Sequence, residues 1–419
     1  MNAVAPPRAA HRANVPVAVV VSVALTALVL VFLLPNLWYG LHDISDIPVY
    51  QAYSQRIANG ERPFTKTFEV EYPPLAVPIF RLPGHAHDPD AYIHWFSISM
   101  GIITMLTAAV TALVACRYWP RGGRAYVAAV LFPVAVALTG AIIVNRYDAA
   151  VALLIAVFIL CLSARWLTAA AFVLGMGFAL KLTPAALLPL VLLLAGHPRR
   201  WVWPLVAFAA AAAAPFLPYL FSSPSGLWYV FQYHLERPLQ IESVLGTPML
   251  FGKLVGLSQA SWGYSYGSHM LVARGAGLAA TASGGLTLLA VAGVYVLIWR
   301  RRERLRAAAP DQAIAVLALI LALMTFGKVL SPQYFIWTLP AWALVAARDR
   351  VLAVLGGFVL LLTQVEFPAL YWRFLDMQPE SVAIVVTRNT LLVVFFAFAA
   401  WRLWRLPEGE RSQWSPSAV

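Results

Sequence analysis

The chain has 419 residues, of which 61% are hydrophobic and 11% charged, and its mean hydropathy is +0.75. No water-soluble globule carries that balance, so bilayer is its solvent. The formal net charge of +12 belongs to loops between membrane spans, as their distribution shows, and implies no nucleic-acid partner.

A span needs about 20 apolar residues to cross a hydrocarbon core of roughly 30 Å, and its backbone groups must be satisfied within helices. The pattern predicts an all-α polytopic membrane protein, with spans near 15–36, 94–116, 124–144, 148–166, 201–220, 271–299, 310–329, 333–347, 350–366 and 381–402. One further apolar stretch, 168–196, is broken by Lys181-Leu182-Thr183-Pro184. Read as two half-length helices, it keeps Arg165 on the same side as Arg199 and Arg200, which gives about twelve segments with both termini cytoplasmic. The first span has a basic start, as a signal peptide would, but it is long and lacks a small-residue cleavage site; it reads as a retained helix. Cys116 and Cys161 fall near cytoplasmic helix ends and read as small core hydrophobes. The tails 1–14 and 406–419 are rich in Pro, Ser and Arg and read as disordered, leaving 15–405 as a single membrane domain.

Basic loops stay cytoplasmic. In this topology that side carries Arg117, Arg121, Arg124, the cluster from Arg300 to Arg306, Arg348, Arg350, Arg402 and Arg405, against few acids. The other side is close to neutral and holds all four lysines, Lys66, Lys181, Lys253 and Lys328. Three long outer loops, about 37–93, 221–270 and 367–380, are rich in Trp, Tyr and Pro. Long loops on a compact bundle usually carry function.

The first outer loop opens with His42-Asp43-Ile44-Ser45-Asp46. Tyr50, Tyr53 and Ile57 then recur at helical spacing with Gln51, Gln55 and Arg56 opposite, which predicts a juxtamembrane amphipathic helix ended by Asn59-Gly60. That helix would pin Asp46 at headgroup depth. Beyond it, prolines stiffen the acidic, aromatic segment Phe68-Glu69-Val70-Glu71-Tyr72-Pro73-Pro74, which suits binding of a polyol; the plainer alternative is interfacial anchoring by an aromatic belt.

Asp46-Ile-Pro-Val-Tyr50 with Gly60-Glu-Arg-Pro63, Glu71-Tyr-Pro-Pro74, Lys181-Leu-Thr-Pro184 and Lys328-Val-Leu-Ser-Pro-Gln333-Tyr334 resemble, in order and membrane placement, the landmarks of glycosyltransferase family 87. These are polyprenyl-phosphate-sugar-dependent enzymes of the GT-C superfamily, typified by actinobacterial mannosyltransferases. The resemblance implies a GT-C-like bundle that transfers a sugar, with inversion, from a lipid-phosphate carrier to an acceptor hydroxyl of a glycolipid or glycan on the non-cytoplasmic face. It implies that an acid of the first outer loop is the general base: Asp46 matches best, Asp43 second. A carboxylate that accepts the hydroxyl proton as it attacks contributes typically 10²- to 10⁴-fold in rate.

The leaving phosphate then needs positive charge. Lys181 and Lys328 lie at helix breaks, where intramembrane ionisable groups usually face a cavity; the alternative for each is a lysine that snorkels to the interface. Arg146, beside its own candidate partner Asp148, reads as more structural, although Arg suits bidentate phosphate contact better. In the second outer loop, His234, Arg237, Gln240 and Glu242 form a dense polar string suited to phosphate and sugar hydroxyls. Glu71, Tyr72, Gln333 and Tyr334 complete the expected substrate lining.

His85-Ala-His87-Asp88-Pro89-Asp90 holds ligand-type residues but no recognised metal spacing, so neither a metal nor a cofactor is expected. Nucleotide-binding and hydrolase motifs are absent. A glycolipid flippase is the reading from another class, but it calls for polar residues on both sides of the midplane, whereas here they gather outside. Mannose is the sugar that the resemblance favours, with arabinofuranose, known in the same family, as the alternative.

Overall fold

The computed structural model describes residues 10–33, 45–120 and 122–407. Asp43, the start of the first outer loop and nearly all of both tails lie outside the described residues. The chain runs through α1 (Ala10–Leu28), α2 (Ile47–Ala58), α3 (Ala76–Arg81), α4 (Pro89–Tyr118), α5 (Gly123–Thr139), α6 (Ile142–Asn145) and α7 (Asp148–Ser163). It continues through α8 (Leu167–Lys181), α9 (Leu188–Ala195), α10 (Val202–Ala213), α11 (Leu217–Ser222), α12 (Pro224–Glu236) and α13 (Thr247–Leu254). A hairpin of β1 (Ala260–Ser265) and β2 (Ser268–Ala273) precedes α14 (Ala276–Arg300), α15 (Arg302–Ala307), α16 (Gln312–Phe326), α17 (Leu339–Ala346), α18 (Arg350–Gln364), α19 (Tyr371–Leu375) and α20 (Pro379–Trp404).

Among the described residues, five helical stretches are long and apolar enough to cross a membrane: Pro89–Tyr118, Ala276–Arg300, Ala309–Phe326, Arg350–Ala369 and Pro379–Trp404. The remaining apolar helices have 10–17 residues, short of the roughly 20 that a straight crossing needs. Several of the predicted spans are therefore interrupted, and each interruption has a local cause. The span expected at 124–144 is divided at Gly140, whose φ of +67° only glycine adopts freely and whose added Cβ would lie 2.3 Å from the Gln364 side chain. That expected at 201–220 divides ahead of Pro218, and 333–347 begins as a 3₁₀ turn from Pro332 to Thr338.

The break at Lys181 is present: α8 stops there, a 3₁₀ turn covers Thr183–Leu187, and α9 follows. Arg165 donates to the carbonyl of Arg306, and Arg306 Nη2 donates to that of Leu193 at 2.5 Å. Both ends of the broken segment thus meet one arginine, as two half-length helices require.

The bundle has two chemically distinct ends. At one, Asp311 binds Arg304 and Arg348 at 2.7 Å each, Arg402 pairs with Asp349, and Arg117 donates to Ser163. From there α7 and α16 run to the other end, where Asp148 and Lys328 lie. The loops gather at that second end. The helix predicted at Tyr50 forms as α2 and stops at Gly60, φ +87°. Its aromatic face is covered by protein: Tyr50 stacks on Phe80 at 4.4 Å and meets Tyr72 and Tyr147 edge-on at 5.7 Å.

The hairpin is the element that the all-helical expectation omits. Tyr266 and Gly267 both have positive φ, 49° and 64°, the conformation of the tight turn whose twist matches paired strands. Trp262 Nε1 fastens the hairpin to Leu375 O at 2.8 Å.

Candidate active site

A cavity of about 620 Å³ opens beneath the hairpin at the loop end. Its lining includes eleven of the twelve residues expected from the sequence: Asp46, Glu71, Tyr72, Lys181, His234, Arg237, Gln240, Glu242, Lys328, Gln333 and Tyr334. They come from five separate stretches of chain, so only folding places them together.

Asp46 sits at the N-terminus of α2, where Pro48 starts the helix without needing an N–H. Its side chain is 30% exposed, and its Oδ2 lies 3.0 Å from Arg146 Nε. The guanidinium N–H does not aim along that line, so the contact is a charge pair rather than a hydrogen bond. Tyr50 OH donates to the same oxygen at 3.4 Å. Arg146 is therefore the counter-charge of Asp46, not of its neighbour Asp148 as the sequence suggests. An extended backbone at Arg146, φ −133° and ψ 140°, turns it away from Asp148.

Asp148 is instead bound to Lys181, 2.7 Å from Nζ, and to Trp337 Nε1, also at 2.7 Å. The Lys181 ammonium faces the rings of Tyr147, Tyr334 and Trp337 at 4.7, 5.1 and 5.3 Å. An aromatic cage plus a carboxylate satisfies a cation fully, so Lys181 is already neutralised. The acidic segment is brought to it by Leu75 N–H, which donates to Ala179 O at 2.9 Å, and Glu71 is held by Tyr53 OH at 2.6 Å. Burial raises the Glu71 carboxyl above the ordinary range.

Arg237 and Lys328 form a different wall. Neither has a carboxylate within ion-pair distance among the described residues. Arg237 donates to Ser268 Oγ and lies over Tyr233; Lys328 Nζ donates to Leu235 O at 2.6 Å. Burial and the neighbouring Arg237 lower the Lys328 ammonium, as expected of adjacent cations. Beside them, burial with Arg237 and Lys181 holds His234 down to about 4, so His234 is a neutral hydrogen-bonding group at physiological pH. Gln240 bridges Glu242 and Ser331, and its backbone N–H donates to Lys328 O at 2.9 Å.

A second cavity, of about 590 Å³, shares His234, Arg237 and Lys328 with the first. It continues along the small-residue face of α14, lined by Ala276, Gly277, Ala280 and Gly284.

Several lining groups escaped sequence reasoning: Tyr147, His269, Trp337, Phe367 and Tyr371. His269 Nδ1 and Tyr371 OH are 2.8 Å apart in the cavity wall. Arg146 and Asp148 had a legible signal, two charges between apolar helices. Tyr371 and His269 had none, since their contact spans a hundred residues of sequence. No group of three or more metal-ligating side chains occurs among the described residues.

Comparison with solved structures finds similarity to ArnT from Cupriavidus metallidurans in the apo state, at 15% identity over 91% of this chain and 76% of that one, TM-score 0.48. ArnT bound to undecaprenyl phosphate is similar at 16% identity over 92% and 77%, TM-score 0.49. The oligosaccharyltransferase of Archaeoglobus fulgidus, tethered with an acceptor peptide, is similar at 15% identity over 97% of this chain and 56% of that one, TM-score 0.45. No curated protein matches. The family profile that does match, glycosyltransferase family 87, covers residues 71–325, the stretch that supplies most of the cavity wall. With well over half its length in that match, the chain belongs to glycosyltransferase family 87 and is a membrane glycosyltransferase.

Proposed function

We propose that this enzyme transfers a sugar, mannose in the first instance, from a polyprenyl-phosphate carrier to an acceptor hydroxyl of a glycolipid or glycan on the non-cytoplasmic face, with inversion and with Asp46 as general base. The observation that carries the reading is the sorting of charge within one cavity. Asp46 lines the cavity, while the two lining cations with no carboxylate within ion-pair distance among the described residues, Arg237 and Lys328, stand where the cavity continues into the groove along α14. A phosphate between those cations would place its isoprenoid tail in the apolar groove and its sugar in the cavity.

The acceptor hydroxyl attacks the anomeric carbon as its proton passes to Asp46. The anomeric carbon–oxygen bond to phosphate breaks on the opposite face, and the electron pair leaves with the carrier. The phosphate gains a negative charge in that step, so Arg237 and Lys328 interact more strongly with the transition state than with the donor. His234, Gln240, Glu71 and Gln333 supply neutral or acidic partners for sugar hydroxyls. Arabinofuranosyl transfer would use the same groups, and the family resemblance supports mannose over it.

The test uses membranes containing the protein, labelled polyprenyl-phosphate mannose and native acceptor lipids. Asp46→Asn keeps size and helix-start geometry, so insertion should persist while kcat falls by about 10²- to 10⁴-fold. Transfer by that variant at the wild-type rate removes Asp46 from the role. Substrate crossing the membrane with no new glycosidic bond supports a flippase instead.

A further inference from the structure

Strand β1 carries Trp262 and Tyr264 at alternate positions, so both rings rise from one face of the hairpin. Tyr264 stands opposite His269 in the ladder, which puts the imidazole on the same face, 5.2 Å from the Tyr264 ring and 4.8 Å from the Trp262 ring. That face is held firmly. β2 pairs with β1 from Ala260↔Ala273 to Ser265↔Ser268. Along its other edge, Ile241 N–H donates to His269 O at 3.1 Å and Leu271 N–H to Leu239 O at 2.8 Å.

From the hairpin a continuous row of rings leads to Asp46. His269 meets Tyr371 edge-on at 5.6 Å, and Tyr371 meets Phe367 at 4.9 Å. The Arg146 guanidinium lies 5.7 Å from the Phe367 centroid and pairs with Asp46. Exposure changes along the row. Phe367 and Tyr371, toward Asp46, are 4% and 6% exposed, whereas Tyr264 on the hairpin and Trp372, next to Tyr371 on α19, are 67% and 59% exposed. Both exposed rings line the same cavity as Asp46, yet the transfer chemistry gives them no task.

An aromatic ring at a membrane surface is ordinarily a belt residue. Trp228 on α12 fits that description, being 59% exposed and lining neither cavity. Tyr264 and Trp372 do not fit it, because they share a polar cavity with Asp46, His234 and Gln333. A pyranose has aliphatic C–H groups on its ring faces and hydroxyls around its rim. The first cover an aromatic face, and the second meet a phenol, an imidazole or an indole N–H.

We propose that Tyr264 and Trp372 form an acceptor subsite, where they stack on the sugar unit preceding the one that is glycosylated, so that the enzyme selects acceptors of at least two sugars. The inference rests on the transfer reading above for the presence of an acceptor at Asp46, and it assigns where the rest of that acceptor lies. With the reacting hydroxyl at Asp46, the buried rings flank the first unit, and the exposed rings take the next. The hairpin and α19 are already tied by Trp262 Nε1 on Leu375 O and by the contact of His269 with Tyr371. The two rings are therefore set before the acceptor arrives, which lowers the entropy lost on binding.

The test uses protein in lipid nanodiscs free of sugar detergent, labelled polyprenyl-phosphate mannose as donor, and methyl mannoside or the corresponding methyl disaccharide as acceptor. Wild type should favour the disaccharide in kcat/KM by about tenfold or more, the scale of two aromatic contacts. Tyr264→Ala and Trp372→Ala should each cut that preference by about 2- to 12-fold, through acceptor KM rather than kcat, and the double variant should abolish it. Tyr264→Phe and Trp372→Phe keep a ring and should keep most of the preference; Trp228→Ala should keep all of it. A wild type indifferent to acceptor length, or a preference unchanged in the double variant, overturns the subsite. An equal fall in Trp228→Ala overturns it in favour of membrane anchoring. Saturation-transfer NMR of the methyl disaccharide on the Asp46→Asn protein, with and without the two rings, reads the subsite apart from turnover. If wild type transfers nothing from this donor, the functional reading fails; NMR contact that depends on both rings then still supports the subsite, and its absence overturns it.

Discussion

The assignment of Lys181 to structure rather than to the donor phosphate makes a sharp prediction for Lys181→Met. In wild type the ammonium is 2.7 Å from a carboxylate that is fully buried, inside three aromatic rings. Methionine keeps most of the apolar stem but leaves Asp148 with Trp337 Nε1 as its remaining close donor. Breaking a buried ion pair from one side costs about 3–5 kcal/mol; the lost ring contacts add about 0.5–2 kcal/mol. The two losses overlap because the same ammonium makes both contacts, so a net loss of about 3–5 kcal/mol is expected. Asp148→Asn in the same background removes the stranded charge and retains an acceptor for Trp337, so the double variant should regain most of the loss. Unfolding by a graded denaturing detergent, at fixed lipid and pH, measures all four members of that cycle. Donor KM, measured on the folded fraction, should move by less than about tenfold. A Lys181→Met protein as stable as wild type, yet with donor KM raised well beyond that, would refute the reasoning and make Lys181 the phosphate ligand.

The cationic wall should behave in the opposite way. Arg237→Met and Lys328→Met each remove a charge that has no carboxylate within ion-pair distance among the described residues, so stability should change little, while kcat/KM falls by about 10- to 10²-fold for loss of one charge-assisted contact to phosphate; unchanged steady-state kinetics in both would exclude the wall. His234, held near 4 in the folded chain against an ordinary 6.5, contributes stability that is present above that ordinary value and is lost as pH falls through the window toward 4. The thermal midpoint of wild type minus that of His234→Gln should therefore drop across this window, and a difference independent of pH would show that His234 is not depressed. In the same variant, the neutral-pH rate profile should keep its shape, since a neutral imidazole contributes no limb there.

Membrane residence, the break at Lys181 and the helix from Ile47 to Ala58 could all be read in the chain, because each depends on neighbours within a few residues: hydropathy over a span, a proline at a break, apolar spacing on one face. The break at Gly140 could not, because it is set by the close approach of Gln364 from a remote helix. Eleven candidate site residues were legible for a related reason. Polar side chains in so apolar a sequence stand out at the ends of spans, and those eleven line one cavity. What those residues do to one another was not legible. Asp46 finds Arg146 across a hundred residues, Asp148 finds Lys181 and Trp337, and Glu366 with Arg388 reaches back to Glu242. Charge pairing in a low-dielectric interior depends on separations of a few ångströms between remote segments, and a local pattern carries no information about them. The sequence by itself determined where charge is unusual enough to matter. Only the tertiary structure decided which cavity cations stand within ion-pair distance of a carboxylate, Arg146 and Lys181, and which among the described residues do not, Arg237 and Lys328.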